Sequence, residues 1–360
     1  MLVDDSAVVR GMLQSALKGE ASILVAATAV DGQMALDILK RTPVDIIILD
    51  IEMPVMDGLT ALPLLLALAP KVKIIMASTL TLRNAEISIR ALELGATDYL
   101  AKPSASEAAS VADFYRQLIE KIKALGGSAS ASRPSTAAAA PKTTATSAPV
   151  AGVMRGVITD LPEALRMIPR AEAIALASST GGPQALLAVF TALKGKIANT
   201  PIFVTQHMPP NFTTILATHI SNAVGVDCHE AKSGEIVKPG GIYLAPGDFH
   251  MTVERQAGVP TLRLDQNPQE NFCRPAADPM LRSLASVYGS KLFVAVLTGM
   301  GSDGAKGAEA VAAAGGYVIA QDEASCIVYG MPKAVADAKL AKAILPLNQI
   351  APCVARAMGA

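Results

Sequence analysis

Short apolar runs alternate with helix-period segments along most of this chain. Ahead of residue 126 the runs are LV (2–3), ILVAATA (23–29), VDIIIL (44–49), KIIMAS (73–78) and DYLA (98–101). Between them lie stretches such as AEISIRALELG, whose apolar positions recur at helical spacing. Its Gly95 stands where the residue after a helix C-terminus is usually glycine. Five strands alternating with helices predict a doubly wound parallel sheet. After residue 152 the alternation returns with AIALAS (173–178), PIFVTQ (201–206), GIYLA (241–245), LFVAVLT (292–298) and YVIA (317–320). Residues 225–272 are less regular, and HMTVE and TLRLD within them predict shorter strands in an antiparallel lobe beside the main sheet.

Between these patterned halves, residues 126–152 read GGSASASRPSTAAAAPKTTATSAPVAG. Apart from Arg133, Lys142 and Val150, every position is Gly, Ser, Ala, Thr or Pro. There is no apolar face to bury, and the prolines interrupt a helix, so a flexible, partly extended linker is expected. The chain therefore reads as two α/β domains. A (βα)5 domain over 1–125 is joined by the linker 126–152 to a Rossmann-like domain with a small antiparallel lobe over 153–360. Hydrophobic residues make up 51% and charged residues 17%, as in well-packed soluble chains. A formal net charge of zero argues against nucleic acid or an anionic membrane as the partner. The four cysteines form no CxxC pair, no histidine lies at zinc-finger spacing, and all four are expected as buried thiols in a reducing compartment. The opening MLVDDS lacks the features of a signal peptide, and no apolar run approaches the ~18 residues of a membrane span. A cytoplasmic protein without membrane insertion is the expectation.

In open parallel sheets function gathers at the carboxyl ends of strands. In the first half those ends carry Asp4-Asp5, Asp50, Ser78-Thr79 and Lys102-Pro103. Three carboxylates on one rim repel one another unless a cation sits among them, and an all-oxygen set suits Mg²⁺. Asp50 could then attack a phosphoryl group, with Ser78 and Lys102 holding the phosphoryl oxygens. Taken singly, each acid has a plainer use; Asp5 would serve as a helix N-cap. The joint pattern VDDS, ILDIEMPVMDG, MASTLT and YLAKP resembles the receiver domain of two-component response regulators over nearly all of residues 1–125. The resemblance implies Asp50 as phosphoacceptor, Asp4, Asp5 and Asp50 as the Mg²⁺ site, and Ser78 and Lys102 as the responding pair. Receivers carry several residues of the first strand before the acidic pair, where this sequence has Met1–Val3.

In the second half, AIALA runs into SSTGGP, and GGPQALLAVFTAL continues as an apolar-periodic helix with Pro183 near its start. A hydroxyl there lies beside free backbone amides that could stabilise an oxyanion. Ser178 or Ser179 could be a nucleophile, a cap, or part of a phosphate cradle. The next strand ends in Gln206-His207, and LFVAVL ends in TGMGSDG, which contains Asp303. A hydroxyl, an imidazole and a carboxylate at three strand ends are what ester hydrolysis needs. Asp303 could also be merely the N-cap of the helix after it. GMGSDG (299–304) further matches the dinucleotide fingerprint, with Asp322 and Glu323 downstream, but Asp303 would sit inside the turn that cradles the pyrophosphate.

At SSTGGP, TQHMPPNFT, YLAPGDFHM, LTGMGSDGAKG and AQDEASCIVYGMPKAV the second half closely resembles the catalytic domain of the CheB family of chemotaxis methylesterases. The resemblance implies Ser179 as nucleophile, His207 as general base, Asp303 as its orienter, and an oxyanion site at the backbone of Thr180 and Met300. It also implies glutamyl methyl esters, and probable glutamines, on methyl-accepting chemotaxis receptors as substrates. A chemotaxis histidine kinase is implied as phosphodonor, and an unphosphorylated receiver as the cover of the active-site mouth. A non-catalytic signalling adaptor of the same shape is the alternative. NFCRPAAD departs from the commoner family pattern, which has His and Ser at positions 273 and 276.

Overall fold

A computed structural model of the chain describes residues 1–79, 81–102, 108–130, 160–197 and 199–360. Its first unit comprises β1 (Leu2–Val3), α1 (Ala7–Lys18), β2 (Thr28–Ala29), α2 (Gly32–Leu39), β3 (Ile46–Asp50), α3 (Gly58–Leu68), β4 (Lys73–Ser78), α4 (Leu82–Glu93), β5 (Asp98–Ala101) and α5 (Ala108–Ser130). The strands form one parallel sheet in the order β2-β1-β3-β4-β5. Continuous apolar runs such as IIIL form strands buried on both faces, which is what helices on either side of a parallel sheet require. Strand order, not strand direction, reverses between β1 and β3, so the acids after these two strands share the crevice there. Short side chains start the helices. Ser6 accepts from the Val9 amide, and Asp31 and Asp57 cap α2 and α3 in the same way. Asp5 is therefore not the cap of α1. The run expected as a strand over 23–29 pairs only at Thr28–Ala29, and Leu24 within it is exposed. Of the linker expected at 126–152, α5 runs through its first five residues, and the remainder lies outside the described residues.

The second unit holds α6 (Leu161–Met167), β6 (Ala173–Ser178), α7 (Gly182–Ala192), β7 (Ile202–Gln206), α8 (Phe212–Val224), β8 (Cys228–Glu230), β9 (Ile242–Leu244), β10 (His250–Gln256), β11 (Val259–Asp265), α9 (Ala277–Tyr288), β12 (Leu292–Val296), α10 (Ala305–Ala313), β13 (Tyr317–Gln321), α11 (Met331–Asp337), β14 (Ala343–Leu345) and α12 (Leu347–Met358). Seven of its strands form a parallel sheet in the order β14-β13-β12-β6-β7-β9-β8. Two of these were not legible as strands. β8 comes from the stretch expected in the lobe, and β14 is three residues long. Each pairs along one edge only, β8 with β9 and β14 with β13, so tertiary hydrogen bonding rather than local pattern makes it a strand. The lobe itself is the antiparallel hairpin of β10 and β11.

The two units pack against each other. Tyr99 of β5 stacks on Phe212 of α8 with ring centroids 4.5 Å apart. Gln184 donates to the Ala96 carbonyl at 2.8 Å, and His219 pairs with Glu93 at 2.7 Å. Val328, Met300 and Ile327 of the second unit join the apolar cluster of Leu100, Phe114 and Leu118 in the first.

Candidate active site

Three neighbouring strands of the seven-stranded sheet, β12, β6 and β7, deliver the three residues singled out by the strand-end reading. β6 pairs with both of the others, Leu176 lying opposite Ala295 on one side and Val204 on the other. Because the strands are parallel and in register, Ser179, His207 and Asp303 emerge on the same rim. The two adjacent serines have different fates. Ser178 is fully buried, and its hydroxyl donates to Gln206 Oε1 at 2.7 Å. Ser179 lies one residue beyond the strand and lines a cleft of about 990 Å³. Gly181, at φ 75°, turns the chain into α7 in the left-handed region that glycine tolerates. Gly299 lets the β12 loop pass close to the nucleophile candidate, since a Cβ there would stand 2.9 Å from Ser179 Cβ.

His207 Nε2 and Asp303 Oδ2 are 2.7 Å apart, with the imidazole nine-tenths buried and the carboxylate 1% exposed. Asp303 is itself held by three further donors. The amides of Ala277 and Asp278, at the start of α9, reach its two oxygens at 2.5 and 3.1 Å, and Asn271 Nδ2 reaches Oδ1 at 3.0 Å. Gly304, not Asp303, stands at the N-cap position of α10. The side chain of Asp278 accepts from the Gly304 and Gly307 amides at 2.9 and 2.7 Å, so each aspartate satisfies the start of the other's helix. Burial acts to raise the Asp303 pKa, but the bond and charge of His207 and the helix amides outweigh it and hold the carboxyl below its ordinary value. Asp278, buried beside that charge, is shifted the other way.

The other face of the imidazole was not foreseen. Cys273 Sγ lies 3.3 Å from His207 Nδ1, partly exposed in the cleft rather than buried as a structural thiol. Burial alone would lower the His207 pKa. A charge on Cys273, together with its bond and the bond and charge of Asp303, overrides burial and pushes the imidazole up to about 10. Asn271 and Asp278 carried no separate signal in the sequence and Cys273 only that of a departure from the family pattern, because their contacts are formed by a turn meeting two helix starts from elsewhere in the chain. The backbone amides of Thr180 and Met300 make no hydrogen bond among the described residues, as oxyanion donors require. The Thr180 carbonyl instead accepts from Thr298 Oγ1 at 2.9 Å, which fixes that turn. The dinucleotide reading of residues 299–304 finds no support, since Asp303 faces α9 and Asp322 caps its own turn through the Ser325 amide.

One wall of the cleft belongs to the first unit. Arg116 of α5 lies over the Phe272 ring, 4.6 Å from its centroid. Lys121, paired with Asp98, reaches Thr180 Oγ1 at 3.4 Å. The (βα)5 unit thus touches the residue next to Ser179 and packs on Met300, both at the reacting end of the cleft.

On the far rim of the first unit Asp4, Asp5 and Asp50 bring one oxygen each within 4.8 Å of one another. Lys102 Nζ lies 2.8 Å from Asp4 and 2.7 Å from Asp50. Burial raises the Asp50 pKa against the pull of Lys102, while the charge of Asp50 and its hydrogen bonds raise that of Lys102 against burial. An ammonium held between two carboxylates stays charged, so we take the ionised pair as the resting state. Ser78 is buried, its hydroxyl donating to the Thr79 carbonyl at 3.2 Å, at the end of β4 beside this rim.

Residues 174–354 match the family model described as CheB methylesterase, and residues 1–111 match the response regulator receiver domain. The chain is 50% identical to protein-glutamate methylesterase/protein-glutamine glutaminase 1 of Paramagnetospirillum magneticum, over 98% of this chain and 94% of that one. It is 51% identical to the protein of the same description from Azospirillum brasilense, over 98% and 91%. The crystal structure of the Thermotoga maritima CheB methylesterase catalytic domain is similar at 42% identity and a TM-score of 0.50, covering 51% of this chain and 97% of that one.

Proposed function

The chain belongs to the CheB methylesterase family, and we propose that it hydrolyses glutamyl methyl esters on a protein substrate under the control of phosphorylation. In this reading residues 1–125 are the receiver and 153–360 the esterase. One observation carries it: three adjacent parallel strands end in Ser179, His207 and Asp303, with His207 and Asp303 2.7 Å apart beside an open cleft. Ser179 attacks the ester carbonyl while Nδ1 of His207 takes its proton, because Nε2 is committed to Asp303. The amides of Thr180 and Met300 receive the developing oxyanion. The proton returns to the departing methoxy group, methanol leaves, and water repeats the cycle to free the glutamate. The same steps on a glutamine side chain release ammonia.

The substrate is then a methyl-accepting chemoreceptor and the phosphodonor a chemotaxis histidine kinase, which places the work in the cytoplasm. Asp50 is the phosphoacceptor, and Asp4, Asp5 and Asp50 fit a hard divalent cation, with Asp5 exposed and open to water. Bound there, Mg²⁺ would offset the repulsion among the three carboxylates and the incoming phosphoryl group. Lys102 and Ser78 then hold the phosphoryl oxygens, and the pull on Lys102 passes along β5 to Tyr99 and the covered cleft. The test is methanol release from receptor carrying labelled methyl esters, with and without a small phosphodonor, beside Ser179→Ala and Asp50→Ala. No release by the wild-type protein would sink the esterase reading, and release indifferent to the phosphodonor would sink receiver control.

A further inference from the structure

An imidazole that serves as a base needs one nitrogen held and the other open to the nucleophile. Here Nε2 is held by Asp303, whose carboxylate is locked by Ala277, Asp278 and Asn271. A flip of the ring would give up the bond to that fixed carboxylate, so Nδ1 is the nitrogen left for Ser179. Yet Nδ1 is within 3.3 Å of Cys273 Sγ, and no hydrogen bond joins it to Ser179 among the described residues. We propose that Cys273 is a positioning residue of the esterase: its sulfur holds Nδ1 of His207 until substrate arrives and sets the pH at which the imidazole can act as a base. The kinetic part of this proposal rests on the esterase reading.

The sulfur is placed by a stiff turn. Glu270 and Cys273 exchange backbone hydrogen bonds at 3.2 and 2.9 Å, and the two residues between them, Asn271 and Phe272, have φ of 52° and 61°. Asn271 of this turn grips Asp303 while Cys273 faces the far side of the ring, so one turn sets both nitrogens. A proton is shared between sulfur and nitrogen. When it sits on sulfur, a weak S–H donor keeps the Nδ1 lone pair aimed into the cleft, where the Ser179 hydroxyl can replace it. When it sits on nitrogen, the pair is thiolate and imidazolium, and the base is already spent. The charge on Cys273 is the largest influence raising the His207 pKa toward about 10. Other charged groups around the ring are accounted for. Asp278 lies behind Asp303, Arg274 is paired with Asp248 and Arg282 with Glu270, while α5 presents Asp113, Arg116, Glu120, Lys121 and Lys123 across the cleft. None is altered by replacing Cys273. Burial pushes the thiols of Cys228, Cys326 and Cys353 up to about 12.

Two readouts test the proposal on the full-length protein. The first is the pH profile of kcat/KM for wild type, Cys273→Ala and Cys273→Ser. Without an ionisable sulfur the acid limb should move at least about one unit to lower pH in both variants, and serine, which keeps a donor at Nδ1, should restore kcat lost in the alanine variant. The second needs no turnover. The His207 ring is titrated by NMR in Ser179→Ala and in Ser179→Ala/Cys273→Ala, with His207→Gln identifying its signal among four histidines. Its midpoint should fall by at least about one unit when the sulfur is removed. A smaller shift of the ring midpoint overturns the proposal, whether or not the protein hydrolyses esters. If the ring shifts and no ester is cleaved by any form, the esterase reading fails separately.

Discussion

Replacing Asp303 by alanine removes two supports at once, and the structure says how to separate them. Its carboxylate satisfies the buried amides of Ala277 and Asp278, at 2.5 and 3.1 Å, as well as His207 Nε2 at 2.7 Å. Each orphaned buried donor costs about 1–3 kcal/mol, so the two amides together account for roughly 2–6 kcal/mol of stability. That is a large part of the ~5–15 kcal/mol of a typical domain, and loss of total activity by itself would prove nothing about catalysis. Asp278→Ala is the matched control. It orphans the Gly304 and Gly307 amides, held at 2.9 and 2.7 Å, but does not touch the imidazole. Both variants should lose a comparable amount of stability in urea unfolding. Methanol release per folded molecule should fall by about 10³–10⁴ in Asp303→Ala, as expected when the base loses its orienting carboxylate. It should fall less than about 10-fold in Asp278→Ala, whose contribution is stability. Equal losses per folded molecule would refute the reasoning, because the aspartates would then act by shaping the loops rather than through the ring.

Four further outcomes follow from the contacts of the two sites. Ser179→Ala should lower kcat by at least about 10⁴-fold. Ser178→Ala leaves Gln206 Oε1 without its 2.7 Å partner, and should cost about 1–3 kcal/mol in a urea melt while keeping activity per folded molecule within about 10-fold. Arg116→Ala removes the cation from the Phe272 face, a contact of about 0.5–1 kcal/mol, so ester hydrolysis without phosphodonor should rise about 2- to 5-fold while the phosphorylated rate stays the same. Chelation of divalent cations by EDTA should abolish phosphodonor stimulation and leave the basal rate unchanged, since none of Asp4, Asp5 and Asp50 lines the cleft, although Lys102 between them does; a fall in basal rate would show a metal requirement in the esterase itself.

The contacts between the two units give the proposed regulation a physical form. Tyr99 stacked on Phe212, Met300 packed into the α5 cluster and Lys121 at Thr180 tie the receiver to the reacting end of the esterase. Lys102 ends the same strand that carries Asp98 and Tyr99, so a change at Asp50 has a short path to the contacts that close the cleft.

Much of this protein could be read from its residues. Parallel strands are long apolar runs, their carboxyl ends are where chemistry collects, and the acids, serine, histidine and aspartate at those ends were legible because a strand end is a local feature. Ser178 and Ser179 were not distinguishable by pattern, since one residue of register decides which hydroxyl turns into the sheet and which into the cleft. β8 and β14 were missed because three-residue strands exist only through the neighbour they pair with. Cys273 read as a buried thiol and as a departure from the family pattern along the cleft, and only the fold places it against His207 Nδ1. Asp303 read as a triad member or a cap of its own helix, and in the structure it holds the imidazole while satisfying the start of a different one. Periodicity and strand-end chemistry depend on near neighbours in sequence, which the chain states outright. A sulfur–imidazole contact between residues 66 positions apart depends on how a turn, two helix starts and two strand ends meet, and that is decided only when they pack.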